Sequence, residues 1–252
     1  MSATATPGAI LLDKDGVLVD FHRTWKPAIK RAAARVARLA AVNRKRREKL
    51  AARLLAAVGH DAATDTFLPG SVWAAGTQEE LFDAWAAILP GTPRAAIAAE
   101  VTAELKATPP HPVVPPRTLV ALLRDARKAG WKMAVVTNDL TASARATAGL
   151  HGYAHLLDAV IGADQVARPK PHPDLVRHAE QVLGLPAARM VMVGDNVHDG
   201  EMARAAGCAA FIGVTCGTSG HADLAPLATA VVEDVAAALR HILRLEETTC
   251  AR

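Results

Sequence analysis

Short apolar runs alternate with amphipathic helical patterns along most of this chain of 252 residues. An apolar run without polar alternation is typical of a strand buried on both faces, as in a parallel sheet. The predicted strands are Ala9–Leu12, Lys132–Val136, Ala159–Ile161, Met190–Val193, Ala209–Val214 and Ala230–Val232. Strands that alternate with helices predict an α/β fold with a doubly wound, mainly parallel sheet of the Rossmann-like kind.

The stretch between the first two predicted strands is different. From about Arg23 to Thr108 it carries helix signals and almost nothing strand-like, and a proline-dense connector follows it. Prolines at this density resist helix formation and predict a stiff linker. The chain is therefore predicted to have an α/β core, residues 1–21 and 111–252, interrupted by an inserted helical subdomain, residues 22–110.

Two helix starts within this insert are predicted from capping residues. Thr24 is placed to cap the first helix of the insert. Thr77, followed three residues later by Glu80, forms a capping box before an apolar-periodic segment. A further helix is predicted from about Arg44 to Val58, with Gly59 at its end.

Composition narrows the classes of protein that this chain can belong to. Hydrophobic residues make up 51% and charged residues 21%, which argues against wholesale disorder. The formal charge is only +4, and the basic run from Arg44 to Arg47 is best interpreted as a solvated helix face. Apolar runs stay below the ~18 residues of a membrane span. We therefore expect neither a nucleic-acid partner nor a membrane partner.

The cysteines and the N-terminus bear on location. Three cysteines, Cys208, Cys216 and Cys250, form neither a metal-binding cluster nor a disulfide framework. The first eight residues lack the charged and apolar regions of a signal peptide. These features predict a cytoplasmic protein.

Two carboxylates follow the first predicted strand, in the sequence Asp13-Lys14-Asp15-Gly16. Residues two apart on an extended chain point to the same side, so Asp13 and Asp15 can face one site. Gly16 permits a sharp turn and leaves backbone N–H groups accessible to an anion. Such a pair suits a metal site or a nucleophile with an acid–base partner. A structural turn stays open for these four residues alone, whereas the glycine and glutamate spacing of an EF-hand loop is absent.

Polar residues also follow the next three predicted strands. They are Thr137 and Asn138 after the second, Lys170 in a proline-flanked loop after the third, and Asp195 and Asp199 after the fourth. Each group alone is also explained by a helix cap, a turn or a solvated loop. Together they indicate one site, because ligands of open α/β sheets bind beyond the C-terminal strand ends. Acids crowded with a lysine require a metal or an anion, so a magnesium-dependent phosphoryl-transfer site is predicted.

These four elements resemble, in their usual order, the four motifs of the haloacid dehalogenase-like hydrolase superfamily. The first motif is matched by the segment from Asp13 to Asp20, and the second by Thr137-Asn138. The third and fourth are matched by the segment from Lys170 to Asp174 and by Gly194-Asp195 through Asp199. The helical insert is similar to the cap of the phosphoglycolate phosphatase and β-phosphoglucomutase branch.

The resemblance implies a role for each acidic residue. Asp13 would attack phosphorus and form an aspartyl-phosphate, and Asp15 would protonate the leaving oxygen and then activate water. Mg²⁺ would be held by Asp13, by the backbone carbonyl of Asp15 and by Asp195. Asp199 would be a further or water-mediated ligand.

The resemblance also implies which residues bind the phosphoryl oxygens. Thr137, Asn138 and Lys170 would contact them, together with the accessible backbone at Gly16. Lys170 would in addition offset the charge of Asp13, as a catalytic cation.

The expected function is hydrolysis of a small phosphorylated metabolite by a cytoplasmic, magnesium-dependent phosphatase, with phosphoglycolate as the substrate suggested by analogy. A dehalogenase is disfavoured because Asp15 and Asp195 are both present. The alternatives are a phosphoglucomutase-like phosphotransferase, against which Lys14 and Gly194 count, and a catalytically silent phosphate-binding module. The oligomeric state is expected to be a monomer or a homodimer.

Overall fold

The structure is a computed structural model that describes residues 8–41 and 43–250. The chain divides into two compact units. The core unit comprises the chain up to Val19 and from Pro112 onward, and the insert unit comprises Asp20–His111. The borders predicted from the sequence, at residues 21/22 and 110/111, lie within two residues of this division.

Helices and strands follow one another in the order that the sequence patterns indicate, with the helices of the insert unit between the first and second long strands. In chain order the elements are β1 (Ala9–Leu12), α1 (Phe21–Ala40), α2 (Arg44–Ala57), β2 (His60–Asp61), β3 (Thr66–Phe67), α3 (Val72–Ala75), α4 (Gln78–Ile88), α5 (Arg94–Ala107), α6 (Pro116–Lys128), β4 (Lys132–Val136), α7 (Thr141–Leu150), β5 (Ala159–Ile161), α8 (Asp174–Leu183), β6 (Met190–Gly194), α9 (Val197–Ala206), β7 (Ala210–Val214), α10 (His221–Leu224), β8 (Ala230–Val232) and α11 (Val235–Cys250).

The core unit is built on a six-stranded sheet in the order β5-β4-β1-β6-β7-β8, and every neighbouring pair is parallel. This confirms the predicted doubly wound α/β fold. Four of the predicted strands have the predicted bounds, while β6 extends to Gly194 and β7 begins at Ala210. β1 lies in the middle, with Leu12 in register with Val135 of β4 and Val193 of β6.

Both faces of the sheet are covered by helices. Ile10 and Leu12 of β1 pack with Leu119 and Leu123 of α6 and Leu239 of α11 in one apolar cluster. The alternate residues Ala9 and Leu11 pack on the other face with residues of α8 and α9. Successive side chains of a strand point to opposite faces, so a strand buried on both sides is apolar throughout. The fully apolar run of β1 therefore agrees with its burial on both faces of the sheet.

The insert unit is a helical bundle with its own apolar core. The helices α1, α2, α4 and α5 contribute most of this core, which includes Ile29, Leu54, Leu81, Trp85 and Ile97. Trp85 is fully buried, and its Nε1 donates a hydrogen bond of 2.8 Å to the Leu54 carbonyl in the last turn of α2. The carbonyls of a last helical turn have no partner within the helix, so this indole satisfies one of them.

The first helix of the insert begins earlier than predicted. The N-cap of α1 is Asp20, whose carboxylate accepts a hydrogen bond of 2.9 Å from the backbone N–H of Arg23. The prediction of Thr24 as the cap is wrong, because Thr24 lies inside the helix and its Oγ1 accepts a hydrogen bond from the His111 N–H at 2.9 Å. Asp is a strong N-cap residue, whereas the partner of Thr24 is distant in sequence and leaves no local signal.

The capping box of α4 is confirmed, and one small sheet was missed. Thr77 Oγ1 accepts from the Glu80 N–H, and the Glu80 carboxylate accepts from the Thr77 N–H at 2.6 Å. β2 and β3 pair antiparallel through two residues each, which is too short for a period-two pattern to be visible. Asp65, between these two strands, forms ion pairs with Lys26 at 2.8 Å and with Lys30.

Within the core unit, the residues on either side of the insert pair with each other. Val19 pairs antiparallel with Pro112, and the Val113 N–H donates to the Leu18 carbonyl at 3.2 Å. Within the insert unit, the Asp20 N–H donates to the His111 carbonyl at 2.7 Å. The ends of the inserted segment are therefore neighbours.

Among the residues that the structure describes, we find no helix with both the length and the apolar character needed to cross a bilayer.

We expect Trp85→Phe to lower the free energy of unfolding of the insert unit by about 1–3 kcal/mol, because the Leu54 carbonyl would lose its buried donor. Urea denaturation followed by circular dichroism measures this change. Trp73→Phe in the same unit is the matched control, since the Trp73 Nε1 is buried without a hydrogen-bond partner. An equal loss in both variants would contradict the assignment of the hydrogen bond as the main contribution.

Candidate active site

Acidic residues lie just beyond the C-terminal ends of β1 and β6, at the middle of the sheet. Asp13 directly follows β1, and its N–H continues the pairing with a hydrogen bond of 2.9 Å to the Val193 carbonyl. Asp195 directly follows β6 and is 2% exposed. Gly16 turns the chain with a φ of 84°, and a Cβ at this position would overlap the Asp195 carboxylate. Only glycine therefore allows the two loops to approach this closely.

A single ammonium group joins two of the acids. Lys170 is 7% exposed, and its Nζ lies 2.6 Å from Asp13 Oδ1 and 2.6 Å from Asp199 Oδ1. Residues separated by 157 positions in the sequence are thus in direct contact. Burial alone would lower the pKa of Lys170, but the carboxylates of Asp13 and Asp199 outweigh it and hold the pKa above its usual range. Lys170 is therefore a permanent cation of the site.

The side chain of Asn138 holds the backbone of Lys170. Its Oδ1 accepts a hydrogen bond of 2.9 Å from the Lys170 N–H, and its Nδ2 donates to the Lys170 carbonyl at 3.2 Å. The neighbouring Thr137 is buried, and its Oγ1 accepts from the Asp139 N–H at 3.1 Å. The amide of Asn138 thereby positions the lysine loop. The predicted contact of Thr137 and Asn138 with a phosphoryl group stays a prediction.

The remaining acids are held by backbone donors. Asp199 is the third residue of α9, and its Oδ2 accepts a hydrogen bond of 3.0 Å from the Asn196 N–H in a capping box. Asp195 Oδ2 accepts two hydrogen bonds from Thr218, at 2.7 Å from the N–H and 2.9 Å from Oγ1. Both carboxylates are therefore fixed in orientation before any ligand binds.

The three acids fit a divalent cation. Asp13, Asp195 and Asp199 each offer a carboxylate oxygen, and these oxygens all lie within 4.8 Å of one another. Burial raises the pKa of Asp13 to about 7, opposed by Lys170 and reinforced by Asp199. Burial, reinforced by the neighbouring carboxylates of Asp13 and Asp199, raises the pKa of Asp195 well above its usual range. Three neighbouring carboxyl groups do not readily ionise at the same time. Mg²⁺, which prefers carboxylate ligands, would stabilise their ionised form.

Asp15 occupies a different environment from the other acids. Its side chain is 25% exposed, and it forms an ion pair with Lys14, which is itself 1% exposed. Lys14 also pairs with Asp139 at 2.8 Å. Burial would lower the pKa of Lys14, but the carboxylates of Asp15 and Asp139 raise it above its ordinary value.

The structure thus brings Asp13, Lys170, Asp195 and Asp199 into one cluster, with Gly16 against it. Sequence reasoning missed Thr218, Lys14 and Asp139 as members of the site. Thr218 follows β7, and the strand-end argument applied to β7 would have pointed to it. Lys14 and Asp139 are visible in the motifs, but their pairing depends on the strand order.

The sequence profile of the haloacid dehalogenase-like hydrolases matches residues 7–207 of the chain. The chain belongs to this family. The match includes all four predicted motifs and the whole inserted segment, so we call the insert unit the cap from here on.

Individual relatives match more locally. The chain is 49% identical over 88 residues to the probable phosphatase IndB of Dickeya dadantii, which covers 35% of this chain and 38% of that protein. It is 40% identical over 81 residues to the plasmid-borne phosphoglycolate phosphatase of Cupriavidus necator, covering 32% of this chain and 35% of the relative. The matched segments thus span less than two fifths of these relatives.

A solved structure matches along nearly the whole chain. A predicted phosphoglycolate phosphatase from Haemophilus somnus 129pt superposes with a TM-score of 0.67 at 19% identity, covering 94% of this chain and 98% of that one. At this identity the similarity supports the fold, including its cap, and no particular substrate.

We expect Thr218→Val to weaken Mg²⁺ binding about 10-fold, because an outer-shell partner of a metal ligand would be lost. The variant removes the 2.9 Å bond to Asp195 Oδ2 and the 3.0 Å bond that Thr218 Oγ1 accepts from Asn196 Nδ2, and it keeps the backbone bond. Titration calorimetry with Mg²⁺ measures the affinity. Thr215→Val is the matched control, since the exposed Thr215 Oγ1 makes only a long bond of 3.4 Å to the Val232 carbonyl. Equal affinities in the two variants would count against a role for Thr218.

The raised pKa values predict that Mg²⁺ stabilises the protein more at high pH. The Asp13 carboxyl ionises at about 7 in the folded chain and at 3.8 in an ordinary environment. Between these values the folded state holds more protons, so metal-free stability falls as pH rises and Mg²⁺ restores it. We expect the Mg²⁺-induced rise in Tm to be larger at about pH 8 than at about pH 6.

Differential scanning fluorimetry with and without Mg²⁺ measures this rise. Asp195→Asn should reduce the response at both pH values, whereas Asp125→Asn, on the exposed face of α6, should leave it intact. A response independent of pH in the unaltered protein would show that protons and Mg²⁺ do not compete for these carboxyls.

Proposed function

We propose that this protein is a magnesium-dependent phosphatase that hydrolyses a small phosphorylated metabolite through an aspartyl-phosphate on Asp13. One observation carries the proposal: a buried lysine bridges Asp13 and Asp199 beside Asp195 at the C-terminal edge of the sheet. In this proposal a nucleophile, a fixed cation and a set of metal ligands would thereby be assembled at one point. This arrangement suits phosphoryl transfer, in which catalysis rests on positioning and on stabilisation of charge.

In the first step the Asp13 carboxylate would attack phosphorus and the ester bond would break. Asp15 would donate its proton to the leaving alcohol oxygen. In the second step a water molecule would attack the phosphorus, Asp15 would take its proton, and the bond to Asp13 would break to release inorganic phosphate. Two steps that share one acid–base group thus restore the enzyme to its starting state.

Fixed positive charge would stabilise both steps. Lys170 Nζ offsets the charge of the attacking carboxylate and would contact the phosphoryl oxygens as negative charge builds up. Mg²⁺ bound by Asp13, the Asp15 carbonyl and Asp195 would supply further neutralisation of the phosphoryl charge. Both oxygens of Asp199 already have a partner, since Oδ1 forms an ion pair with Lys170 and Oδ2 accepts a hydrogen bond from the Asn196 N–H, which favours a water-mediated role for it.

The substrate class is proposed from the relatives. Phosphatases, among them a phosphoglycolate phosphatase, share the highest local identity reported above, and phosphoglycolate is therefore the first ester to test. The cap would select the substrate, since cap closure commonly excludes water and completes such a site. A cytoplasmic location and a monomeric or homodimeric state stay predictions from the sequence.

We expect Asp13→Asn to lower turnover by at least about 10³-fold, since an amide cannot replace the nucleophile. Release of inorganic phosphate from 4-nitrophenyl phosphate and from phosphoglycolate, with and without Mg²⁺, measures this. Intact-mass spectrometry after an acid quench should detect a phosphorylated chain in the unaltered protein and not in the variant. Asp125→Asn is the control for loss of one surface carboxylate.

The outcomes separate the alternatives. Retained activity in Asp13→Asn would exclude this residue as the nucleophile. A chain that binds Mg²⁺ but hydrolyses no ester would be a silent binding module. Isomerised sugar phosphate in place of released phosphate would identify a phosphotransferase.

A further inference from the structure

Lys14, between the two aspartates of the first motif, is a buried cation that the mechanism above leaves unused. Its side chain is 1% exposed, and a lysine is almost never this buried unless its ammonium group is paired. Its Nζ lies 2.9 Å from Oδ1 and 2.8 Å from Oδ2 of Asp15, so it holds both oxygens of that carboxylate. Its carbonyl accepts hydrogen bonds from the Leu18 and Val19 N–H groups, at 2.8 and 2.9 Å, which fixes the backbone of the residue.

The other side of the ammonium is anchored on the second motif. Asp139 Oδ2 lies 2.8 Å from Lys14 Nζ. Asp139 is itself held on three sides, since its Oδ1 accepts from the Leu140 N–H at 2.7 Å and its carbonyl accepts from the Ala163 N–H at 3.0 Å. Its own N–H donates to Thr137 Oγ1. The ammonium therefore has a rigid anchor on the loop that also carries Thr137 and Asn138.

The two carboxylates that share Lys14 differ in freedom. The Asp15 side chain is 25% exposed and the Asp139 side chain is 14% exposed. The Asp139 carboxylate accepts a backbone hydrogen bond from Leu140, whereas Asp15 lies within the first motif on the turn next to Gly16 and is bound through its carboxylate by Lys14. Lys14 Nζ contacts both oxygens of Asp15, so the ammonium helps to set the position of its carboxylate.

We propose that Lys14 is a positioning residue for Asp15, with Asp139 as its anchor. This rests on the proposed function, in which Asp15 is the acid–base group. A proton donor must lie within hydrogen-bond reach of the leaving oxygen, and a displacement of about 1 Å can cost about 100-fold in rate. Lys14 acts through Asp15 and contacts neither the substrate nor the reacting atoms.

The rival explanation is purely structural: Lys14 would serve only to neutralise the buried Asp139. The two explanations differ in which reactions suffer when Lys14 is replaced. A general acid matters for an alkyl ester, whose leaving alcohol needs a proton, and matters little for 4-nitrophenyl phosphate, whose leaving group is stable as an anion. A structural defect would lower the rates of both esters alike.

The experiment compares kcat/KM for an alkyl phosphate and for 4-nitrophenyl phosphate in Lys14→Met. Because kcat/KM reports the steps up to formation of the aspartyl-phosphate, it isolates protonation of the leaving group. We expect a fall of at least about 10-fold for the alkyl ester and less than about 3-fold for the aryl ester. Lys132→Met is the matched control, since Lys132 lies at the start of β4 and its Nζ donates to the Leu183 carbonyl at the end of α8. The Lys132→Met variant should lower the rate for neither ester.

A double-variant cycle tests whether Lys14 acts through Asp15. In an Asp15→Asn background, Lys14→Met should change the alkyl rate by less than about 2-fold, since the group that it positions is gone. Lys14→Arg should restore part of the alkyl-ester rate that Lys14→Met loses. Equal losses for both esters, or a full additional loss in the Asp15→Asn background, would overturn the proposal.

Two other causes of a negative result are tested separately: failure of the Lys14→Met variant to fold, and failure of the proposed phosphatase function. Lys14→Met/Asp139→Asn keeps the buried charges balanced, so it carries the same kinetic comparison if Lys14→Met does not fold. If the unaltered protein hydrolyses neither ester, the proposed function fails. Crystal structures of the unaltered protein and the variant then decide the positioning: an unmoved Asp15 carboxylate overturns it, and a displaced one supports it.

Discussion

The contact of the Lys170 ammonium with Asp13 and Asp199 is the interaction on which the rest of the site depends. Three buried carboxylates, those of Asp13, Asp195 and Asp199, face one lysine. Burying several like charges together is costly, and one ammonium offsets only part of that cost. Burial, reinforced by the neighbouring carboxylates, raises the pKa values of Asp13 and Asp195. The surplus negative charge would favour the uptake of a divalent cation.

This cluster exists because of the strand order. β1 lies between β4 and β6, so the loops that follow three strands distant in sequence meet at one edge. The fixed backbone then does most of the positioning: Asn138 holds Lys170, the N-terminus of α9 holds Asp199, and Thr218 holds Asp195. Preorganised groups of this kind need little rearrangement during reaction, which is the main source of electrostatic catalysis.

Much of this was predictable from the sequence, and the reasons are specific. The strands were predictable because they are almost entirely apolar, and the site was predictable because parallel strand ends converge. The start of α1 was misplaced because Thr24 serves a partner far away in sequence. β2 and β3 are too short to leave a pattern. In the sequence Lys14 is visible only as a departure from a related motif, since its pairing with Asp139 depends on strand adjacency that no local pattern records.

The pairing of Val19 with Pro112 has a consequence for how such a protein diversifies. A segment whose two ends leave a scaffold at adjacent residues can be lengthened, shortened or exchanged without altering the register of the sheet. Every residue proposed here for phosphoryl transfer lies outside that segment. Under the proposed role of the cap, exchanging this one contiguous stretch of chain would change substrate preference and leave the proposed reaction residues unaltered.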